Sequence, residues 1–178
     1  MTEGATETDI GLYFSTSPQA AHPRNHCIPI YEVLRVPDDA HSEIVVMPAL
    51  QKIASPRFDT FGELVEFLRQ IFEGLQFMHA HHITLPMVAA SSPLRWTNSI
   101  QENVAVGWDG KKHSTRMKCN PKHYFVDFRL SRKYTPADID ALESDPFPAD
   151  IYDLANMITR ELVEARCSIH FYINPRMH

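Results

Sequence analysis

The sequence predicts an α+β chain. Three observations predict it: two apolar, β-branched runs flanking a polar turn near residues 27–47, a long amphipathic period from Thr60 to Met78, and a β-rich run at Lys122–Phe128 followed by a second helical period. With 178 residues the chain fits one domain, or one domain with tails. Hydrophobic residues at 44% and charged residues at 22% match a globular chain rather than a disordered one.

Residues 1 to about 10 are polar and acidic and read as a frayed tail, followed by a short apolar patch from Ile10 to Phe14. Ser17-Pro18 and the run from Ala21 to His26 read as turns. Cys27–Val36 and Ile44–Met47 are the two strands of an expected hairpin, with Pro37–Ser42 as the connection. Pro29 lacks an N–H and suits an edge or the start of the first strand.

The helix from Thr60 carries the strongest local signal. Phe61, Leu64, Val65, Leu68, Ile71, Phe72, Leu75 and Met78 recur at helical spacing, and Thr60 with Glu63 has the capping-box form. The stripe of Leu64, Leu68, Phe72 and Leu75 is expected to face the core. Thr84–Cys119 reads as a long loop with short elements, Asp109–Lys112 within it as an exposed turn. A strand is expected at Lys122–Phe128, and a helix over Asp150–Ala165 with Ile151, Leu154, Ala155, Ile158, Leu162 and Ala165 on one face. Asp145 and Asp150 lie near the positive end of that helix.

A net charge of −5 argues against a protein built to grip nucleic acid or anionic lipid. Three cysteines without a C-x-x-C indicate neither a disulfide scaffold nor a cysteine-rich zinc module. The start lacks the basic and apolar pattern of a signal peptide, and no apolar stretch approaches the length needed to span a bilayer. The expectation is a soluble, intracellular or cytoplasmic protein, with neither nucleic acid nor membrane as partner.

Two chemical constellations stand out. His79, His81 and His82 close the long helix; imidazoles are favoured there by the negative end of the helix dipole. The alternative is a zinc or copper site completed by His113, Cys119 or His123, although the spacing fits no standard ligand pattern. Asp127, at the end of the Lys122–Phe128 strand, is a carboxylate placed to bind a hard cation such as Mg²⁺, or equally a cap or turn residue.

The order of these pieces resembles a protein kinase. Leu75-Gln76-Phe77-Met78-His79 is similar to the end of the helix leading into a kinase catalytic loop. Val126-Asp127-Phe128-Arg129-Leu130-Ser131 is similar to the D-F-G motif and its sequel, and Asp150-Ile151-Tyr152-Asp153-Leu154-Ala155 to the start of the central helix of the large lobe. The stretches Pro23–Pro29 and Asp145–Asp150 resemble kinase-like domains abundant in mushroom-forming fungi. The resemblance implies a partial protein kinase-like fold over residues 21–165, between an N-terminal tail (1–20, mostly flexible) and a C-terminal tail (166–178). A small β-hairpin would remain from the N-lobe, beside a helical partial C-lobe.

The departures from the family are chemical. No Gly-rich loop and no strand lysine precede the hairpin, and both are needed to hold ATP phosphates. Aligned without gaps, the H-R-D triplet falls on Leu85-Pro86-Met87 and the metal-binding Asn on Ser92. A thioether is not a base. Arg129 replaces the glycine of D-F-G, and no A-P-E segment is present. No catalytic residue is therefore assigned. The resemblance makes Met47 the gatekeeper and places the hinge at Pro48, Ala49 and Leu50, with Met47, Pro48 and Leu50 as the cofactor-binding candidates. Pro48 keeps its carbonyl acceptor and Leu50 its N–H donor. Asp127 remains as the metal candidate. ATP and Mg²⁺ are the implied cofactors, bound weakly if at all.

The leading expectation is a catalytically inactive, pseudokinase-like remnant acting as a binding or scaffold module, its exposed partial C-lobe offering a face to a protein partner. The alternatives are an active protein kinase phosphorylating Ser or Thr, a metal-binding protein built on the histidine cluster, and a truncated or mis-spliced gene product.

Overall fold

The computed structural model describes residues 6–37, 39–52, 58, 60–85, 104–107 and 121–159. Its class is mixed α+β, with helices packed among small antiparallel sheets.

The chain enters on helix α1 (Glu7–Ser15). Thr6 caps it in a full capping box with Asp9, the two side chains satisfying each other's backbone N–H groups. Ile10 and Phe14 are one helical turn apart and both are buried. The expected tail through residue 20 is thus overturned from Thr6 onward: a capped helix with two apolar anchors docks on the core.

The first strand is shorter than expected. β1 (Glu32–Val36) pairs antiparallel with β2 (Asp39–Val46) in the register Glu32↔Val46, which slips between Arg35 and Val36. Residues 26–28 leave the hairpin. Cys27 makes a parallel bridge to Phe125, the Phe125 N–H donates to the His26 carbonyl at 2.7 Å, and the Ile28 N–H donates to the Phe125 carbonyl at 3.0 Å. Pro29 separates the two pairings, as a residue without an N–H can.

β3 (Leu50–Lys52), β5 (Val104–Gly107) and β6 (His123–Phe125) form a three-stranded antiparallel sheet in that order. β5 gives the expected Thr84–Cys119 loop one ordered strand. β4 (Ile83–Thr84) pairs with β7 (Arg132–Lys133), closing the chain beneath the end of the long helix.

The long helix, α2 (Phe61–Ala80), begins at the expected capping box of Thr60 and Glu63. Its buried face differs from the expected stripe. Phe67, Ile71, Leu75 and Met78 line the core with Gly74, whereas Leu64 and Leu68 are half-buried at its border. Phe72, expected inside, is 47% exposed, and Phe61 and Val65 also face solvent. The polar Gln70 is buried because its amide links α2 to β6: it accepts from the His123 N–H at 2.8 Å and donates to the Pro121 carbonyl at 3.2 Å.

Two helices follow β7. α3 (Pro136–Ala141) is capped by Thr135 and Asp138. α4 (Phe147–Ile158) turns Asp150, Leu154 and Met157 inward, while Ile151 and Ala155 point outward. The expected apolar face was rotated by the demand to bury Asp150, whose contacts lie in the core. Leu162 and Ala165 lie outside the described residues.

Candidate functional site

β6 ends at Phe125, and the chain then turns sharply. Asp127 has φ of 61°, and it shares positive φ with His82 alone among the described non-glycine residues. Aspartate tolerates this left-handed geometry better than most side chains. Phe128, next in line, is buried at 3% exposure and anchors the turn. Arg129 takes ordinary negative φ, so the conformational demand falls on Asp127 rather than on the position where the resemblance expects glycine.

The turn places Arg129 across Asp127. Its Nε donates to Oδ1 at 2.6 Å and its Nη2 to Oδ2 at 2.5 Å, a bidentate pair. These bonds hold the Asp127 carboxyl below the ordinary carboxylate range, against the opposing effect of partial burial. Arg129 and Lys122 are the basic residues near Asp127 in sequence, and Arg129 is the one that pairs with it. Lys122 instead lies over the Tyr124 ring, 5.3 Å from its centroid.

A second carboxylate comes from α1. The Glu7 carboxyl is pushed above its usual range, first by burial and then by the charge of Asp127. Arg129 and the backbone N–H of Phe128 oppose that shift. Glu7 thus lies within electrostatic reach of the Asp127–Arg129 pair. The sequence reading missed Glu7 because residues 1–20 were assigned to a tail; the Thr6–Asp9 cap was the available signal.

A carboxylate with both oxygens bonded to a guanidinium is poorly set out for a hydrated Mg²⁺, which keeps most of its waters and asks for free oxygen ligands. Ser92, the second family ligand by alignment, lies outside the described residues, as do Pro86 and Met87.

The hinge candidates are placed at the join between the hairpin and the three-stranded sheet. Met47 is 43% exposed and Pro48 half-buried. Leu50 opens β3, registers with Gly107 and packs against the core.

The histidine cluster separates. His79 Nε2 lies 2.8 Å from Asp150 Oδ2. His81 Nδ1 lies 2.8 Å from the Phe77 carbonyl, and His82 adopts φ of 57° in leaving the helix. His123 is buried against Gln70. Among the described residues no three His, Cys, Asp or Glu side chains converge as metal ligands; His113 and Cys119 lie outside them.

No protein-family model and no curated protein matches this chain.

Asp150 holds a larger structural position than its place near a helix start suggested. Besides His79, its Oδ2 accepts the Leu85 N–H at 2.8 Å, with the carboxylate 1% exposed. One buried carboxylate thereby fixes the end of α2, the segment after β4 and the first turn of α4. No helix of the described residues is long and apolar enough to cross a membrane.

Proposed function

We propose that this chain is a kinase-like module that does not transfer phosphate, binds ATP weakly at most, and works through protein contacts. The observation that carries the reading is the Asp127–Arg129 clamp. At the position where the resemblance puts the Mg²⁺-binding carboxylate, both oxygens are bonded to a guanidinium two residues away. By the same resemblance the proton-accepting Asp of the catalytic triplet falls on Met87, whose thioether is not a base. The exposed Phe61, Val65 and Phe72 on α2, with Ile151 and Tyr152 on α4, supply apolar surface to a partner.

Calorimetric titration of ATP with and without Mg²⁺, on wild type and on Asp127→Asn, tests the reading. Binding should be weak and indifferent to Mg²⁺ in both proteins, and radiolabelled ATP should leave generic acceptor proteins at background. Low-micromolar binding that requires both Mg²⁺ and Asp127 would overturn it.

A further inference from the structure

We infer that His26 and Glu73 form a proton-operated latch: when the buried His26 ring takes up a second proton, Glu73 turns inward to bond it and releases Arg69 on the surface of α2. The neutral arrangement follows from the hydrogen bonding. His26 is 4% exposed. Its Nδ1 lies 3.0 Å from the His123 carbonyl, which can only accept, so Nδ1 carries the one proton of the neutral ring. Nε2 is then a bare acceptor, and it faces Glu73 Oε2 at 4.0 Å. Two acceptors cannot bond each other, so the gap stands. The same Oε2 accepts from Arg69 Nη1 at 2.7 Å. One oxygen thus lies between a buried imidazole and an exposed guanidinium.

A proton on Nε2 makes a charged donor of the group that faces Oε2, and such bonds close to about 2.7–2.9 Å. The backbones cannot supply the movement. A Cβ built at Gly74 would lie 2.6 Å from the His26 Cβ, so α2 and the segment 26–28 are already in close contact beside Glu73. The Glu73 side chain must therefore turn. Arg69 can let it go because Glu66 remains: Arg69 Nε and Nη2 donate to the two Glu66 oxygens at 2.7 and 2.6 Å. That bond chiefly draws the Glu66 pKa down to about 2, so this partner stays ionised in mild acid.

The other groups around His26 leave Glu73 as its counter-ion. From β6 and the residue before it, Lys122 is a like charge, and the His123 ring is turned to Gln70 and Phe67. From α2, Arg69 is a second like charge. Cys27, next in the chain, is a thiol that burial keeps neutral. Burial also holds the His26 imidazole below its ordinary pKa of 6.5, so the latch is open at neutral pH and closes in mild acid. Closing it withdraws the Glu73 charge from the helix surface and leaves Arg69 Nη1 turned to solvent.

The test is nuclear magnetic resonance of the full chain, following the His26 ring nitrogens and the Arg69 guanidinium from about pH 7.5 to about pH 5, the range in which histidine titrates. At neutral pH the His26 proton should sit on Nδ1. Its transition should fall below pH 6.5, and the Arg69 signal should move with the same midpoint. In His26→Asn the Arg69 signal should stay still over this range. In Glu73→Gln the His26 midpoint should shift to lower pH, and the Arg69 signal should again stay still. The Glu73 side chain is 32% exposed, so Glu73→Gln leaves the core packing intact. A neutral ring protonated on Nε2, an Arg69 signal that stays still in wild type or moves without His26, a His26 midpoint unmoved by Glu73→Gln, or loss of the folded spectrum before the Arg69 signal moves would each refute the latch.

Discussion

Gly74 sits where α2 passes beneath the segment 26–28 and β6, and its replacement by alanine tests how closely these elements pack. A Cβ built there would lie 2.6 Å from the His26 Cβ and 2.8 Å from Phe125 Cε2. Carbon atoms pack best at about 3.5–4.0 Å, so the added methyl intrudes by about 1 Å on both. Neither neighbour can yield cheaply. The His26 Cβ is fixed to a backbone that accepts the Phe125 N–H at 2.7 Å, and Phe125 is fully buried. Overpacking of this kind costs about 1–3 kcal/mol. Alanine also returns about 1 kcal/mol of helix propensity. Because the clash is anchored on both sides, we expect the upper part of the range to apply, and a net loss of about 1–2 kcal/mol. Gly62 provides the control in the same helix. Its built Cβ meets nothing nearer than Thr60 Oγ1 at 3.9 Å, so Gly62→Ala should be neutral or gain up to about 1 kcal/mol. Urea unfolding followed by circular dichroism reads both. If Gly74→Ala were as stable as Gly62→Ala, with unchanged denaturant slope, the packing of residues 26–28 against α2 would be wrong.

The orientation of α2 makes a second contrast. Leu75→Ala should cost about 2–5 kcal/mol, as for a buried leucine, while Phe72→Ala should cost under about 0.5 kcal/mol; equal losses would restore the stripe expected from periodicity. A third prediction concerns acid. Burial holds the His26 imidazole below its ordinary pKa, and Glu73, 4.0 Å away, does not offset it. The unfolded chain therefore takes up this proton first as pH falls through about 6.5, and stability declines from there down to the lowered folded-state value. His26→Asn removes the titration, so stability measured by urea at pH 7 and pH 5 should fall less in the variant than in wild type; an equal fall would exclude His26 as a contributor.

Several elements were legible because their causes are local. The Thr60–Glu63 box and the apolar period define α2 without reference to any neighbour, and the β-branched runs around a polar turn define the hairpin. Asp127 at the end of a strand, with Arg129 two residues on, could be foreseen as a pair, since a guanidinium reaches back over a tight turn. The cap of α1 was equally local but lay in a stretch whose composition resembles a tail, and the buried Ile10 and Phe14 show how little apolar surface a short helix needs once a core receives it.

By itself the sequence determined the capped helix α2, the hairpin about its polar turn, the extended run that holds β6 and the helical period of α4. The tertiary structure decided which faces are inside. α2 carries apolar residues around more than one face, so periodicity alone could not choose between Phe72 and Phe67; the choice fell to the side where Gly74 admits the segment 26–28 and Gln70 bonds to β6. In the same way Cys27 has the propensity of a hairpin strand but pairs with Phe125, because β-propensity fixes an extended backbone and leaves its partner to packing. Asp150 and His79 are 71 positions apart, and Glu7 and Asp127 are farther still. Contacts at such separations leave no periodic trace in the chain, since they depend on the folded core that brings the two ends together.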